Sequence, residues 1–310
     1  MSDCSPANRE RELGLDRRET ENDQNRIAEI WYGTHNNGTS TILDNNLGSI
    51  LLSSKLKEYN IEIKFMLKIL MIEKPLSIQV HPVKTQAMAL NSIDPKNFPD
   101  PNSKAEICIA ISDKFYLMCG LRDDKSLNLF EHTPLYEYDI GVLTPFFLNC
   151  IKLEKYGSAF IPPGTPHSYV SGDCIEILEN SDNVIRGGLT PKHKDINLFI
   201  KNIQFTEIIV NKKSNSQNNL FCHSLVNNHC HDYFKIYQIN AVCGLPVALD
   251  KSLFKENRLF FLLCCDGSAN VKLDNDFSLN LKHGDCFCLI DYKPMEIMST
   301  SGKCSIILAF

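Results

Sequence analysis

Residues 157–178 of this 310-residue chain, GSAFIPPGTPHSYVSGDCIEIL, decide its fold class. Three short runs within them, 157–161, 168–171 and 174–178, are rich in apolar residues and are separated by the sequences Pro-Pro-Gly and Gly-Asp. Such sequences favour turns, and short strands between closely spaced turns are typical of a β-barrel or a β-sandwich. We therefore predict three successive strands in a mainly β fold.

The preceding sequence predicts further strands and a few short helices. Apolar runs predict strands, and apolar residues at helical spacing predict helices. The predicted strands are residues 63–72, 76–81, 106–111 and 114–119, and the predicted helices are 84–91 and 195–203.

The carboxyl-terminal part alternates apolar and polar residues to the end of the chain. Runs at 259–265, 269–273, 277–281, 286–290 and 305–310 predict a second, smaller β domain. Residues 211–219 are rich in Asn, Ser and Lys and form the best linker candidate. We predict a charged, disordered tail over 1–26, a metal-binding domain over 27–210, the linker, and the second domain over 220–310.

Composition and charge indicate a small-molecule partner. The formal net charge of -5 gives no positive field for nucleic acid or an anionic membrane. We find no secretory signal and no long apolar run. Many of the 13 cysteines fall in apolar runs, such as 261–265 and 286–289, where a reduced thiol packs as a small hydrophobe. We expect a soluble, cytoplasmic monomer that binds neither nucleic acid nor membrane.

Four side chains could share a metal ion. Gln79 and His81 are two apart on a predicted strand, so they point to the same face. Glu106 opens another strand, and His167 follows a rigid proline-rich turn. An amide oxygen, a carboxylate and two imidazoles suit zinc. Spacing alone leaves open ordinary hydrogen-bonded histidines and a solvated glutamate.

Longer motifs carry a resemblance to a known family. In order, residues 75–82 (PLSIQVHP), 104–106 (KAE), 166–174 (PHSYVSGDC) and 181–192 (SDNVIRGGLTPK) resemble the signature segments of type I mannose-6-phosphate isomerases. Supporting matches lie at 28–35 and 65–70. The resemblance is close over roughly 27–204 and loose elsewhere.

The resemblance implies a fold, a cofactor and a reaction. The fold would be mainly β, with two cupin-like jelly-roll barrels and a few short helices. One Zn²⁺ per chain would be held by Gln79, His81, Glu106 and His167. The enzyme would interconvert mannose 6-phosphate and fructose 6-phosphate through a cis-enediolate, which supplies mannose for GDP-mannose and glycosylation.

Matching positions also suggest roles for other side chains. Glu176, Lys104 and Asp182 are candidates for proton transfer, with Glu176 favoured, and Arg186 would steady the enediolate or the phosphate. The family positions for the substrate phosphate are Ser77, Lys68 and Lys192. Glu176 could instead be a salt-bridged carboxylate, and the two lysines could be ordinary surface cations.

Three departures from the family pattern keep an alternative open. The charged tail replaces a strand with a Trp-Gly pair, Ala105 stands where proline is usual, and a connection of about sixteen residues, from Arg122 to Tyr138, replaces a long helical insertion. A non-catalytic metal- or sugar-phosphate-binding cupin is the second hypothesis. A cupin oxygenase is disfavoured by the glutamine ligand. A zinc knuckle at Cys222-His223 and 229–231 is disfavoured because no Cys-x-x-Cys arm is present.

Overall fold

The computed structural model describes residues 2–4, 28–44, 48–122, 139–211, 222–225, 233–249, 254, 258–273, 277–291 and 294–310. These residues form two compact units. The first unit draws on 18–35 and 64–214, and the second on 1–17, 36–63 and 215–310. Residues 36–63 thus group with the second unit, whereas the sequence-based division placed them in the metal-binding domain. The predicted domain boundaries stay a prediction.

Strands make up most of the regular structure. They are β1 Ser2–Cys4, β2 Glu29–Tyr32, β3 Thr41–Asp44, β4 Gly48–Leu51, β5 Phe65–Ile72, β6 Ile78–Val80, β7 Glu106–Ala110, β8 Lys114–Leu121, β9 Leu148–Glu154, β10 Ser158–Ile161, β11 His167–Glu179, β12 Ile185–Gly188, β13 Ile209–Asn211, β14 Cys222–Ser224, β15 Ile236–Val242, β16 Val247–Ala248, β17 Leu259–Asp266, β18 Ser268–Leu273, β19 Phe277–Lys282, β20 Cys286–Ile290, β21 Met295–Ser299 and β22 Lys303–Ala309.

Helices are few and short. They are α1 Leu52–Glu58, α2 Lys84–Ile93, α3 Thr144–Phe147, α4 Ile196–Asn202 and a 3₁₀ helix over Ile140–Leu143. Helix α4 begins where the Asp195 side chain accepts a hydrogen bond from the Leu198 amide at 2.8 Å, an ordinary N-terminal cap. The two helices predicted from apolar spacing are therefore present with slightly shifted ends.

Strand β11 organises the first unit. It pairs along one half with β6 and β8 and along the other with β5 and β7. The prediction of two strands separated by a Gly-Asp turn was wrong, because the chain runs straight on through that pair. Gly172 has φ +102° there, and an added Cβ would lie 2.5 Å from the Lys114 carbonyl oxygen. The glycine therefore marks a local distortion within one strand, next to the register shift between Tyr169 and Ser171.

The second unit contains an eight-stranded and a four-stranded sheet. The larger sheet has the order β14-β15-β22-β17-β20-β1-β3-β4, and the smaller has β16-β21-β18-β19. Strand β17 is buried on both faces over most of its length, which agrees with its unbroken apolar sequence. The five strands predicted over 259–310 are all present.

Two sequence-based expectations fall partly outside the described residues. Within the predicted tail, Ser2–Cys4 pair with Cys286–Cys288, so these three residues depart from the expected disorder. Asn211 ends β13, and the rest of the predicted linker lies outside the described ranges. Cys222 and His223 belong to β14, and 229–231 are not described.

The mainly β class with a few short helices is confirmed. In the parts of the chain that the structure describes, no helix has both the length and the apolar character needed to cross a membrane.

Candidate metal centre

Three of the predicted ligands converge in the interior of the first unit. Glu106 lies between the two imidazoles, with Oε1 3.1 Å from Nε2 of His81 and Oε2 3.2 Å from Nε2 of His167. One potential ligand atom from each residue lies within 4.8 Å of the others. All three side chains are at most 1% exposed. They form a group that could hold a metal ion.

Sheet pairing explains how residues distant in sequence meet. His81 follows β6, Glu106 opens β7 and His167 opens β11. His167 and Arg186 both lie opposite Gln79, in neighbouring strands. Directly opposed residues of an antiparallel pair share a face. The register therefore sets Gln79, His167 and Arg186 in one row across β12, β6 and β11.

Backbone acceptors orient both imidazoles. Nδ1 of His81 donates to the Asn183 carbonyl at 2.8 Å, and Nδ1 of His167 donates to the Thr165 carbonyl at 2.9 Å. In a neutral ring held this way, the Nε2 atom carries the lone pair. This is the arrangement in which histidine binds a metal, because the hydrogen bond at one nitrogen fixes the tautomer at the other.

The ligand atoms themselves lack hydrogen bonds within the protein. Nε2 of both histidines and both carboxylate oxygens of Glu106 are fully buried, and their short contacts with one another do not have hydrogen-bond geometry. Oε1 of Glu106 also has a charged neighbour, the ammonium of Lys104 at 2.9 Å. Buried polar atoms without partners are costly. A bound cation would supply a partner to each, so the residues present fit a metal ion.

Burial sets the protonation states that such a site needs. Desolvation lowers the pKa of His81 to about 4, against the opposing pull of Glu106. Burial would raise the pKa of Glu106, but His81, Lys104 and His167 together hold that pKa well below its usual range. A neutral imidazole beside an ionised carboxylate matches the donor set of zinc sites.

A second group of buried charges adjoins the three ligands. Nζ of Lys104 lies 2.9 Å from Oε1 of Glu106. Nζ of Lys68 lies 3.9 Å from Oε2 of Glu176 and 3.9 Å from the centre of the Trp31 ring. Burial raises the pKa of Glu176, and the charge of Glu106 raises it further, while Lys68 and Lys104 oppose this. Lys68 is therefore not the surface cation that was the alternative.

The remaining predicted residues are more exposed. Asp182 is half-buried, and its charge acts on Lys104 and Arg186. Burial lowers the pKa of Arg186, and Asp182 opposes that shift. Ser77 is half-buried ahead of β6, and Lys192 is exposed. The structure thus brings Lys104, Glu176 and Asp182 within electrostatic range of one another.

Sequence reasoning missed two residues around the histidines. Asp100 was given no role, and Asn183 was quoted within the motif 181–192 without a role. Both are buried, and Asn183 supplies the carbonyl that holds His81. No local pattern identifies them, because their partners lie about eighty to one hundred residues away in the chain.

An apolar groove also lies in the first unit. It has a volume of about 490 Å³, and its lining includes Tyr116, Val142, Cys150 and Leu189. None of the predicted site residues lines it.

Comparison with known proteins identifies relatives of the chain. Residues 7–124 match the family model described as phosphomannose isomerase type I, catalytic domain. A probable mannose-6-phosphate isomerase of Caenorhabditis elegans is 29% identical over 265 residues, which cover 60% of this chain and 63% of the relative. The chain thus spans less than two thirds of the length of that relative.

Solved structures show the same fold. A point mutant of phosphomannose isomerase from Salmonella typhimurium superposes with a TM-score of 0.76 at 21% identity, covering 94% of this chain and 93% of that one. The mannose 6-phosphate isomerase of the same organism, bound to substrate (f6p) and zinc, gives a TM-score of 0.74 at 21% identity, with 94% and 92% covered.

The cupin-like fold expected from the motifs is therefore confirmed by solved structures. The sequence relationship rests independently on the family model and the curated relative. Over residues 7–124, the chain is similar in sequence to the catalytic domain of type I phosphomannose isomerases.

Proposed function

We propose that this chain is a zinc-dependent isomerase that interconverts mannose 6-phosphate and fructose 6-phosphate. One observation carries the proposal: two imidazoles, each oriented by a backbone carbonyl, and a carboxylate meet in a buried cluster, where the atoms that face one another have no hydrogen bond within the protein. His81, Glu106 and His167 would hold one Zn²⁺ per chain. Gln79, in the same row as His167, would be the fourth protein ligand.

The reaction requires a proton to move between two carbons. In the direction of fructose 6-phosphate, a base removes the proton from C2, a cis-enediolate forms, and a proton is delivered to C1 while a hydroxyl proton passes from O2 to O1. Zinc, when bound, supplies a Lewis acid that stabilises the negative charge developing on the sugar oxygens. The protein must supply the base.

Glu176 is the best-supported base. Its pKa is raised by burial and by Glu106, and a carboxylate with a raised pKa can both accept and return a proton near neutral pH. Lys68 is held 3.9 Å from it by packing on Trp31 and would keep part of the carboxylate ionised. Lys104 and Asp182 are the alternatives, because both lie in the same charged group.

Cations are available for the oxyanion and the phosphate. Arg186 occupies the ligand row opposite Gln79, which would place its charge near the enediolate or the phosphate. For the phosphate we propose Ser77, Lys68 and Lys192. The exposed Lys192 and the half-buried Ser77 could meet a solvated phosphate, whereas Lys68 would reach only a deeply inserted one.

The location of this activity, the oligomeric state and the use of the product are also proposals. We propose that the chain works as a cytoplasmic monomer and supplies mannose for GDP-mannose and glycosylation. Its partner would be a small sugar phosphate, and neither nucleic acid nor a membrane would take part.

The test uses the whole chain in an enzyme-linked isomerase assay, with zinc measured in the same samples. We expect about one zinc per chain, turnover of both sugar phosphates, and loss of activity on chelation with recovery on adding Zn²⁺. His81→Asn should lose zinc and activity. His283→Asn is the matched control, because its exposed ring also donates Nδ1 to a backbone carbonyl, at 2.8 Å from Cys265 O, but belongs to the second unit.

The alternative of a non-catalytic cupin has its own support in the short connection between Arg122 and Tyr138. Protein that binds zinc through His81 but turns over neither sugar phosphate would establish that alternative. Protein that binds no zinc and is fully active after chelation would overturn the proposed metal chemistry.

A further inference from the structure

The two histidines of the metal centre are oriented by different means. The acceptor for Nδ1 of His167 is the carbonyl of Thr165, two residues earlier in the same turn. The acceptor for Nδ1 of His81 is the carbonyl of Asn183, which lies 102 residues further along the chain. The direction of the His81 ring therefore depends on what fixes residue 183.

Asn183 lies between strands, so sheet hydrogen bonds do not place it. It follows the end of β11 at Glu179 and precedes the start of β12 at Ile185. Its side-chain Nδ2 instead donates to the Asp100 carbonyl at 2.7 Å, to Oδ1 of Asp100 at 3.1 Å and to the Asn102 carbonyl at 2.9 Å. Two residues of one loop, Asp100 and Asn102, thus hold the side chain of Asn183.

Asp100 is the centre of this arrangement. Its Oδ1 also accepts from the Asn102 amide at 2.9 Å, and its Oδ2 accepts from the Asp182 amide at 2.9 Å. Nε2 of His35 lies 3.3 Å from Oδ2. Together, the two carboxylate oxygens therefore face donors from three separate segments of the first unit. Only 8% of the residue is exposed.

The arrangement specifically requires a carboxylate. An asparagine at this position has one acceptor oxygen, and its NH₂ group would face a backbone N–H that needs an acceptor. Burial would raise the pKa of Asp100, but hydrogen bonds from His35, Asp182, Asn102 and Ser181 lower it overall, so the side chain is ionised near neutral pH. In the series of hydrogen bonds that links Asp100 through Asn183 to His81, each donor then has an acceptor.

We infer that Asp100 is a positioning residue for the metal centre, acting on His81 through the backbone carbonyl of Asn183. The inference rests on the proposed zinc site. His35, which contacts Asp100, is the outermost residue of this series of contacts. Removing such an orienting partner typically weakens metal affinity by about 10- to 100-fold. His167 has its own local acceptor, so Asp100 should act on only one of the two imidazoles.

The test compares Asp100→Asn with Asp94→Asn in the full-length protein. Asp94 is the matched control because it also accepts hydrogen bonds within the same loop, from the amide and side chain of Asn97, but contacts none of the ligands. Zn²⁺ affinity is measured by competition with a chelator, and Co²⁺ is added to metal-free protein so that its visible absorption reports ligand geometry. Thermal unfolding of the metal-free proteins is recorded alongside.

We expect Asp100→Asn to bind Zn²⁺ about 10- to 100-fold more weakly than wild type and to give an altered Co²⁺ spectrum, with Asp94→Asn matching wild type. A purely structural role would lower the unfolding temperature and leave affinity and spectrum unchanged, which would overturn the inference. Should Asp100→Asn fail to fold, Asn183→Ala removes the same link while keeping the carbonyl, and wild-type affinity in that variant would equally overturn it.

The outcome also separates this inference from the proposed function. Wild-type protein that binds neither Zn²⁺ nor Co²⁺ would contradict both. Wild-type protein that binds zinc and isomerises its substrate, together with an unaffected Asp100→Asn variant, would contradict only the positioning role.

Discussion

The interiors of the two units contain different kinds of side chain. In the first unit the buried polar set includes two lysines, two glutamates and an aspartate as well as histidines: His35, Lys68, His81, Asp100, Lys104, Glu106, His167 and Glu176. In the second unit, the buried polar residues among those described are Ser40, Gln238, Ser299 and Ser305, all uncharged. The interior between the second unit's strands is otherwise a large apolar cluster containing Phe254, Phe260 and Phe310.

This difference indicates that the buried charges of the candidate site and the large apolar cluster lie in different units. Burying charge costs free energy unless each charge is paired, and even paired charges often stabilise less than apolar residues of the same size. The first unit therefore holds a group of charges that stability alone does not require. The second unit gains the ordinary stabilisation of apolar burial.

The largest effect should follow from replacing the central ligand of the first unit, Glu106→Gln. The change removes the carboxylate shared by both histidines and leaves Lys104 without its closest anion. Loss of the metal's several kcal/mol of charge stabilisation corresponds to a fall in turnover of roughly 10⁴-fold. Zinc content and isomerase activity are the measurements. Glu207→Gln, an exposed glutamate of the same unit, should leave both unchanged. Full activity in Glu106→Gln would show that the buried charges are not a metal site.

In the second unit, a substitution in the apolar cluster should lower the free energy of unfolding by several kcal/mol without changing the zinc content. Phe260 is fully buried and packs edge-to-face on Phe254 and Phe310. Phe260→Ala should lower the free energy of unfolding by about 3–5 kcal/mol, measured by urea denaturation. Phe205→Ala, at a phenylalanine that is 59% exposed, should change it by less than about 0.5 kcal/mol. Folded Phe260→Ala protein should hold as much zinc as wild type, and zinc loss would contradict the division of roles.

An intermediate effect should follow from Glu176→Gln, which keeps the shape of the side chain but removes the proposed base. We expect kcat to fall by about 100-fold or more while zinc content stays the same and KM changes little. Parallel loss of zinc would instead indicate that Glu176 supports the ligand cluster. An unchanged kcat would transfer the base role to Asp182 or Lys104.

The smallest effect should come from Asp139→Asn, at the margin of the first unit. Burial would raise the pKa of Asp139, but the amides of Leu189 and Gly141 and the ammonium of Lys194 lower it overall. Because the folded pKa lies below the unfolded value, this stabilisation is complete above the unfolded pKa of about 3.9 and disappears as pH falls through the folded pKa.

Asparagine can still accept the two backbone hydrogen bonds at Oδ1 but loses the charge, and hydrogen bonds to a charged group contribute roughly 1 kcal/mol more than those to a neutral one. The variant should therefore be less stable than wild type by about 1 kcal/mol at pH 7, and the difference should shrink towards zero in strong acid. Urea denaturation at several pH values gives the comparison. Asp113→Asn, at an exposed residue of the same unit, is the control and should change the free energy of unfolding at pH 7 by less than about 0.5 kcal/mol. A difference in unfolding free energy between Asp139→Asn and wild type that stays constant down to the lowest pH would contradict the ionised state of Asp139.

The sequence by itself determined the mainly β class, the positions of most strands, two helices and the motifs that lead to the family. These features depend on local information: apolar periodicity, turn-forming Pro/Gly sequences and short strings such as 75–82. The same local reasoning failed at Gly172, where a glycine that resembles a turn signal relieves a clash within one long strand.

Only the tertiary structure decided which nitrogen of each histidine is free, that Lys68 is buried on Trp31 beside Glu176, and that Asp100 and Asn183 hold His81. The grouping of residues 36–63 with the second unit also appeared only there. The physical reason is sequence distance. Strand register brings together side chains about eighty to one hundred residues apart, and burial, tautomer and pKa depend on that environment, which no local pattern encodes.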